Sequence, residues 1–542
     1  MNDDPIRYFD ACCYLGRHVH MAEGQPETPE QLLAAMDHFG IHEALVVDTL
    51  SASTNPMAGN ARIVQRCRDF PRLHPAWAAL LPSSYELPPP EEFIDQMRQQ
   101  GVAALYLFYG QFSLPLTEWA AGGLMAALEG ARVPVFLCPN ALMEPGRNDI
   151  TDWQGVVNVC QAFPDLPVIV TERRIYRTQR PLYAAMETCP NLKVDLSALW
   201  LRDRVEFISR HFGPGRVVWA SQLPTRTPGS PLMQLNYSDV PHDELARVAG
   251  GTMRELVSWN PNVKPVEPAS IQFPEPIDTL HRKVRLRESF RDERFYDCHG
   301  HIGWCSPYHV IDDTPEGIVG EMDRLGIDVC CVFTLQIVGD GVYGNDETME
   351  VVSRYPDRFI PFTYVNPHHG EKAMLAELER GLEMGMKGIK LISAYISYPE
   401  EGPLIDVACR FASEHAQFIL NHHWGSAGQI RRLCTQYPEA CYIQGHATLA
   451  YADVCREVDN LFICTCPLLD WQATEHIVDA YGADRILFGS DLTDLPVAWG
   501  LGQVLYANIP EADKRKILGE NLRGLMDRYG IYPEGWAKSR SR

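Results

Sequence analysis

Short apolar runs recur along the whole chain, and amphipathic helical stretches separate them. The first half contains ALVV, ALYLF, PVFL, PVIV and RVVW, and the second half contains CCVF, GIKL, FIL, CYI, LFI and RILF. Between them, segments such as PEGIVGEMDRLG and EKAMLAELERGLEMG repeat apolar residues at helical spacing. Uniformly apolar strands that alternate with helices predict parallel strands buried on both faces.

The pattern occurs twice, in the same order. TPEQLLAAMDHFGIHEALVV at 28–47 resembles TPEGIVGEMDRLGIDVCCVF at 314–333. Further pairs follow in register, among them QQGVAALYL with EMGMKGIKL, NLKVDLS with NLFICTC, GRVVWASQLP with ADRILFGSDL, and GGTMREL with GENLRGL. Similarity that keeps its order over the whole length indicates two tandem copies of one unit.

A proline-rich stretch lies between the two copies. Five prolines fall within WNPNVKPVEPASIQFPEPIDTL at 259–280, and proline disfavours helix and central strand. We therefore predict a first domain at 1–258, a connector at 259–294 and a second domain at 295–542. Each copy has the usual length of a (β/α)8 barrel, so the predicted fold is α/β with two tandem TIM-barrel-like domains. An open doubly wound sheet is the alternative, but no GxGxxG follows a first strand.

Ionisable residues in the second copy follow the ends of predicted strands. His299 and His301 are two residues apart on the first strand, so they point to the same face. Other strand ends are followed by His422 and His423 in NHHWG, by His446 in GHA and by Asp491 in FGSD. In a barrel these ends form the face that carries active sites. Three N and O ligands with an open position describe a catalytic zinc site, where the ion activates water.

These motifs resemble the amidohydrolase superfamily, and most closely its branch similar to aminocarboxymuconate-semialdehyde decarboxylase. The likeness extends over 295–530, carried by DCHGHIG, HHWG, GHA and FGSD. The resemblance implies one divalent metal held by His299, His301, His422 and Asp491. It also implies that His446 helps to activate water or substrate and that Asp491 moves a proton. Zn²⁺ suits this ligand set best, while Mn²⁺ and Fe²⁺ also fit.

Three neighbouring residues have open roles. Lys390 ends the fourth strand and could contact a substrate carboxylate, form a structural ion pair or, once carboxylated, bridge two metals. In NHHWG the spacing favours His422 as the ligand, which leaves His423 and Trp424 for substrate binding. The motif CxC at 464–466 could bind a soft metal, but no second CxC or CxxC completes a set.

The first copy has none of the predicted ligands. In the order of His299, His301, His422, His446, Asp491 and Lys390, it carries Cys12, Tyr14, Pro139, Glu172, Gln222 and Tyr106. We therefore predict a degenerate barrel without metal, even though His18 and His20 form an HxH in the following loop. Members of the resembling branch often dimerise, so the two copies are predicted to form an intrachain pseudo-dimer. Arg173 or Arg174 would then contribute to the site, and further homo-oligomerisation is compatible with this.

Bulk properties restrict the partners and the compartment. The 542 residues carry a net charge of −22, which argues against nucleic acid or an anionic membrane as the partner. The N-terminus shows no secretory pattern, no apolar run is long enough to cross a membrane, and the 16 cysteines are scattered. We expect a cytoplasmic protein with reduced thiols that acts on a small molecule.

Three functions follow from the sequence. The first is a metal-dependent hydrolase that acts on a small, carboxylated substrate through a metal-activated water. The second is a metal-dependent nonoxidative decarboxylase or hydratase of an unsaturated or aromatic acid, because the branch contains both chemistries with similar ligands. The third is a non-catalytic binding or scaffold protein that has kept the ligands.

Overall fold

Two eight-stranded parallel sheets form the framework of the protein. The computed structural model describes residues 5–139, 142, 150–171 and 178–536. The first sheet has its strands in chain order: β1 Tyr8–Leu15, β2 Ile41–Asp48, β3 Leu73–Ala78, β4 Ala104–Phe108, β5 Val135–Cys138, β6 Val168–Val170, β7 Leu192–Asp195 and β8 Val217–Val218. The second repeats this order: β9 Phe295–Ile302, β10 Ile327–Thr334, β11 Phe359–Tyr364, β12 Gly388–Leu391, β13 Phe418–Asn421, β14 Cys441–Gln444, β15 Leu461–Cys464 and β16 Ile486–Leu487. The predicted pair of tandem (β/α)8 barrels is confirmed.

Helices follow the strands in both copies. In the first part of the chain they are α1 Pro29–Phe39, α2 Thr49–Ser53, α3 Pro56–Cys67, α4 Pro90–Gln99, α5 Glu118–Ala131, α6 Trp153–Ala162, α7 Gln179–Thr188, α8 Arg204–Phe212, α9 Gly229–Asn236, α10 His242–Ala246 and α11 Thr252–Val257. In the second part they are α12 Thr279–Leu286, α13 Pro315–Leu325, α14 Gly341–Arg354, α15 Glu371–Glu383, α16 Pro403–Glu414, α17 Ala427–Gln436, α18 Ala452–Glu457, α19 Ala473–Tyr481, α20 Val497–Leu505, α21 Glu511–Arg515 and α22 Asn521–Tyr529.

Short 3₁₀ and π turns complete the secondary structure. The 3₁₀ turns are Pro82–Ser84, Leu196–Ala198, Pro214–Arg216, Pro268–Ser270, Pro367–His369 and Ala483–Arg485. A π turn occupies Arg247–Gly251 in the first barrel and Lys516–Glu520 in the second, each directly before the last helix of its copy. The repeated sequence pattern therefore extends to an uncommon local conformation.

The matching TPE motifs start matching helices. The Thr28 hydroxyl accepts the backbone N–H of Gln31 at the start of α1, and the Thr314 hydroxyl accepts that of Gly317 at the start of α13. Proline follows in both, where its missing N–H would have no partner in a helix. Gly40 and Gly326 end the two helices with φ of 75°, a conformation that glycine adopts without strain.

An aspartate closes each barrel. The side chain of Asp297 on β9 accepts the backbone N–H of His299 at 2.9 Å and of Ser490 at 3.1 Å, and it also accepts the Ser490 hydroxyl. Asp10 on β1 accepts the corresponding groups of Cys12 and Ser221 in the first barrel. The residue that the two strand openings share thus fastens the first strand to the segment after the eighth. The aspartate is present in both copies because it closes the barrel, a role that does not depend on the metal ligands.

Contacts divide the chain into two compact units. One comprises residues 1–276 with 307–309, and the other comprises 277–306 with 310–542. Each has a core inside its barrel, built from inward-facing strand residues such as Phe9, Leu45 and Phe136 in the first and Phe333, Phe362 and Leu420 in the second. The predicted connector at 259–294 includes the helix α12, which belongs to the second unit.

Among the described residues, the helices are too short or too polar to cross a bilayer.

Candidate metal centre

The barrel topology brings four histidines and an aspartate to one end of the second sheet. His299 and His301 lie in β9, while His422, His446 and Asp491 lie just beyond the ends of β13, β14 and β16. All are buried except His446, which is partly exposed. Asp491 adopts a φ of 64°, and Gln222 at the same place in the first copy adopts 61°. This left-handed conformation is uncommon for residues other than glycine and turns the chain sharply after the last strand.

Asp491 lies between the two histidines of the HxH motif. Its Oδ1 is 3.1 Å from Nε2 of His301 and 3.3 Å from Nε2 of His299. The other ring nitrogen of His301, Nδ1, is 3.3 Å from the carbonyl oxygen of Thr334. That oxygen can only accept, so Nδ1 donates to it and Nε2 faces a carboxylate oxygen. At this distance a proton or a cation must lie between Nε2 and Oδ1.

His422 and His446 add donor atoms with no protein partner. Neither ring nitrogen of the buried His422 has a hydrogen-bond partner among the described residues, and the same holds for Nε2 of His446. The His422 ring centre lies 5.7 Å from that of His299 and 4.1 Å from that of His446. Buried polar atoms are nearly always paired, so these nitrogens indicate a ligand.

The arrangement fits a divalent ion. An imidazole bound at about 2.0–2.1 Å has its ring centre about 3.2 Å from the metal, so two such rings around a tetrahedral ion lie about 5 Å apart. The His299 ring is 5.4 Å from that of His301 and 5.7 Å from that of His422. Together with the Asp491 carboxylate, these rings could hold one metal with only small adjustments.

Burial and mutual contact set the ionisation of the site. Burial, and next the nearby Lys390, lowers the pKa of His299 and His422 well below the usual range. Burial also lowers the pKa of His446 to about 4. Although burial alone would raise it, the pKa of Asp491 is held well below its usual value by the hydrogen bond with His301 and by the other histidines. His299, His422 and His446 are therefore neutral imidazoles and Asp491 is a carboxylate, the forms that bind metals.

Lys390 faces the same volume from the end of β12. Its Nζ lies 3.4 Å from Nε2 of His299 and 3.9 Å from the centre of the Phe333 ring. The side chain is completely buried, and burial lowers the pKa of its amine to about 7. Among the described residues it forms no ion pair with a carboxylate within 4.0 Å, so a structural ion pair does not account for it.

The two residues after His422 differ in environment. His423 is exposed, and its ring stacks 6.4 Å from that of His446. Trp424 is fully buried, its indole N–H donates to the Ile443 carbonyl at 3.2 Å, and it packs against Tyr442. Trp424 therefore has a packing role, which argues against the substrate contact predicted for it. Tyr395 is an aromatic residue beside the site, because its half-exposed ring lies 4.8 Å from that of His422.

Cys466 was not included in the predicted ligand set. Its Sγ, a ring nitrogen of His299 and a carboxylate oxygen of Asp491 all lie within 4.8 Å of one another. This is the group of three potential ligands that stands out in the described part of the chain. The CxC motif was the available signal, but its partners are a histidine and an aspartate distant in sequence, not further cysteines.

The equivalent end of the first barrel is filled by its own side chains. Cys12, Tyr14 and Tyr106 are buried, the Tyr106 hydroxyl donates to the Ala11 carbonyl at 2.6 Å, and its ring stacks on Phe136 at 4.5 Å. The amide of Gln222 donates to the Ser197 hydroxyl at 3.0 Å. Glu172, which aligns with His446, and the predicted contributors Arg173 and Arg174 lie outside the described residues.

Comparison with known proteins supports the resemblance seen in the sequence. Residues 397–523, which include His422, His446 and Asp491, match the amidohydrolase family model Amidohydro_2. The predicted family resemblance is thereby confirmed for this part of the chain. No curated protein matches the sequence.

Solved structures of similar fold each correspond to less than half of this chain. A TIM-barrel protein from Bordetella bronchiseptica is 16% identical and is matched over 47% of this chain and 100% of its own, with a TM-score of 0.37. A 5-carboxyvanillate decarboxylase from Sphingomonas paucimobilis is 13% identical over 43% and 99%, with a TM-score of 0.36. A 2,6-dihydroxybenzoate decarboxylase from Rhizobium is 17% identical over 44% and 99%, also with a TM-score of 0.36.

Proposed function

We propose that the second barrel is a metal-dependent hydrolase for a small carboxylated substrate. The observation that carries this proposal is the convergence of His299, His301, His422 and Asp491, with the buried His422 nitrogens left without a protein partner. A structural role would pair these nitrogens, whereas a metal site keeps them ready for the ion. We assign the four side chains as ligands of one divalent metal.

When bound, such an ion supplies Lewis acidity and lowers the pKa of water to about 7. The chain supplies the proton transfers. His446 is neutral above pH 4, and its unpaired Nε2 can accept a proton from the attacking water. Asp491 is ionised and lies against two imidazoles, so it can orient that water, take up its second proton and pass this proton to the leaving group. Asp491 is buried, which keeps bulk water away from its side of the reacting atoms.

Lys390 and the rim of the pocket indicate the substrate class. Lys390 is a buried amine without a carboxylate partner among the described residues, so a substrate carboxylate can pair with it. Large apolar side chains are exposed on segments that follow the strand ends of this barrel: Trp304, Val338, Val342, Tyr343, Tyr395 and Leu449. Exposed apolar side chains on these segments, together with one buried basic group, suit an organic acid with an unsaturated or aromatic body.

Nonoxidative decarboxylation is the second candidate, and the position of Lys390 favours it. A carboxylate held by Lys390 lies beside His299 and hence close to the reacting atoms, not at the distant end of the substrate. His446 or Asp491 would then deliver a proton to the carbon that loses CO₂. Two solved proteins of similar fold are decarboxylases of hydroxylated aromatic acids, which sets a starting panel of compounds.

The test begins with metal analysis of protein purified without chelators. About one equivalent of divalent metal per chain is expected. Less than half an equivalent would instead favour a binding or scaffold protein. A panel of lactones, amides and aromatic carboxylates is then assayed for ring opening or cleavage and for released CO₂. Activity should disappear after chelation and return with Zn²⁺ or Mn²⁺, and the products separate hydrolysis from decarboxylation.

His299→Ala should abolish both the bound metal and the activity. His415→Ala is a matched control, because His415 closes helix α16, away from the strand ends, and contacts Phe411. If the His299 variant keeps both its metal and its turnover, the proposed ligand set is wrong.

A further inference from the structure

A cysteine lies directly beside the proposed metal ligands. Cys466 is two residues beyond the end of β15 and is almost fully buried at 1% exposure. Its Sγ, a ring nitrogen of His299 and a carboxylate oxygen of Asp491 are no more than 4.8 Å from one another. Donors on one tetrahedral ion are about 3.3–3.8 Å apart when bonds are 2.0–2.3 Å long, so a shift of about 1 Å brings all three into one coordination sphere. The unpaired nitrogens of His422 point to a ligand at the same place.

The first barrel shows that the fold itself brings the position of Cys466 next to that of Asp491. Ser197 corresponds to Cys466, and Gln222 corresponds to Asp491, in the aligned segments NLKVDLS with NLFICTC and WASQLP with FGSDL. In the first barrel these two side chains are hydrogen-bonded at 3.0 Å. The barrel therefore brings the residue after strand seven against the residue after strand eight in both copies. In the second copy the pair consists of two metal-binding side chains.

The neighbouring cysteine has a different place. Cys464 Sγ lies 3.9 Å from Nδ1 of His299, on the opposite edge of the ring from the Nε2 that faces Asp491. It also accepts the backbone N–H of Cys466 at 3.4 Å. Cys464 therefore contacts the Nδ1 edge of the His299 ring, while Cys466 lies within reach of the Asp491 carboxylate. The two thiols offer a matched pair of variants with the same chemistry and burial.

We propose that Cys466 is a further ligand of the metal, as a thiolate, in a mixed histidine, aspartate and cysteine site. This inference rests on the proposed metal-dependent function. A soft sulfur donor favours Zn²⁺, Co²⁺ or Cd²⁺ over Mn²⁺ and Mg²⁺, which prefer oxygen. The residue thus determines which metal the site selects, a choice that the histidines and aspartate alone leave open.

X-ray absorption spectroscopy of the Zn²⁺-loaded full chain tests the proposal without an activity assay. The wild type and Cys464→Ser should both show one Zn–S distance of about 2.3 Å. Cys466→Ser should lose it while keeping the nitrogen and oxygen shell. Because loss of even an outer-shell partner weakens metal binding 10- to 100-fold, we expect Cys466→Ser to lower the Zn²⁺ affinity by at least about tenfold. The Mn²⁺ affinity should remain nearly unchanged.

The possible results separate this inference from the proposed function. If Zn²⁺ binds stoichiometrically but the wild type shows no sulfur shell, the thiolate ligand is refuted and the metal site stands. A sulfur shell that is lost in Cys464→Ser and kept in Cys466→Ser also overturns the assignment. If the wild type binds no Zn²⁺, both proposals fail. Circular dichroism of each variant, compared with wild type, verifies that a lost shell does not come from unfolding.

Discussion

Replacing His422 by leucine should make the metal-free protein more stable. The His422 ring is 3% exposed, and neither of its nitrogens has a hydrogen-bond partner in the described part of the chain. A buried polar group without a partner destabilises a protein by about 1–3 kcal/mol, and leucine has a similar volume without the polar atoms. For a domain of this size the gain corresponds to a rise in Tm of about 2–10 °C.

The opposite result is expected with metal. A ligand at 100 times its Kd stabilises the folded state by about 2.7 kcal/mol, so Zn²⁺ should raise the Tm of the wild type by about 5–10 °C. His422→Leu should show a much smaller rise because it has lost a donor. Thermal unfolding followed by circular dichroism, once with chelator and once with Zn²⁺, measures both effects on the same samples.

His74 provides the matched control. It is also buried, but its Nε2 lies 3.0 Å from a Glu43 carboxylate and its ring stacks on Phe9 at 5.2 Å. His74→Leu should therefore lower the Tm and leave the response to Zn²⁺ unchanged. The reasoning is refuted if His422→Leu is less stable than wild type in chelator, or if its full Zn²⁺ response remains.

Three other predictions concern proton transfer, substrate binding and pH. His446→Gln should lower kcat by about 10²–10⁴-fold with unchanged metal content, and it should remove the rise in rate that accompanies loss of the His446 proton near pH 4. Lys390→Met should raise KM for carboxylated substrates by about tenfold or more, with a smaller effect on kcat. In the wild type, the affinity for such substrates should fall as the pH rises through about 7, because the Lys390 amine then loses its charge. Burial raises the pKa of Asp297 from 3.8 to about 7, so the folded state holds this proton more tightly than the unfolded state does. The free energy of unfolding should therefore fall by about 4 kcal/mol as the pH rises from about 4 to above 7. Denaturant unfolding of Asp297→Asn should show a smaller loss between pH 5 and 8 than wild type, and an equal loss would contradict the linkage.

The third strand of each copy shows a limit of sequence patterns. β3 contains Pro75 and β11 contains Pro361, and proline inside a strand normally argues against a central position. Both prolines pair through their carbonyl oxygens, which accept backbone N–H groups of Ala103 and Lys387 at 2.8 Å. A missing donor is tolerated at a position where the next strand needs only an acceptor. The match between the two copies, not the composition of the segment, was the usable signal.

Local sequence determined the type and order of the elements, the duplication and the identity of the residues after each strand. This was sufficient because apolar periodicity reports burial, and parallel strands with crossover helices place their carboxyl ends on one face. It predicted that His299, His301, His422, His446 and Asp491 share that face, and the structure places all five there.

Tertiary structure decided which of these side chains meet. The contact of His301 with Asp491 joins residues 190 positions apart, and it depends on the closure of the barrel between its first and last strands. Cys466 lies beside His299 and Asp491, and Trp424 donates to the Ile443 carbonyl, because of how each strand end turns, which no period of two or 3.6 residues encodes. Periodicity assigns a residue to a face, whereas the distances that hold a metal arise only when eight strands close around one core.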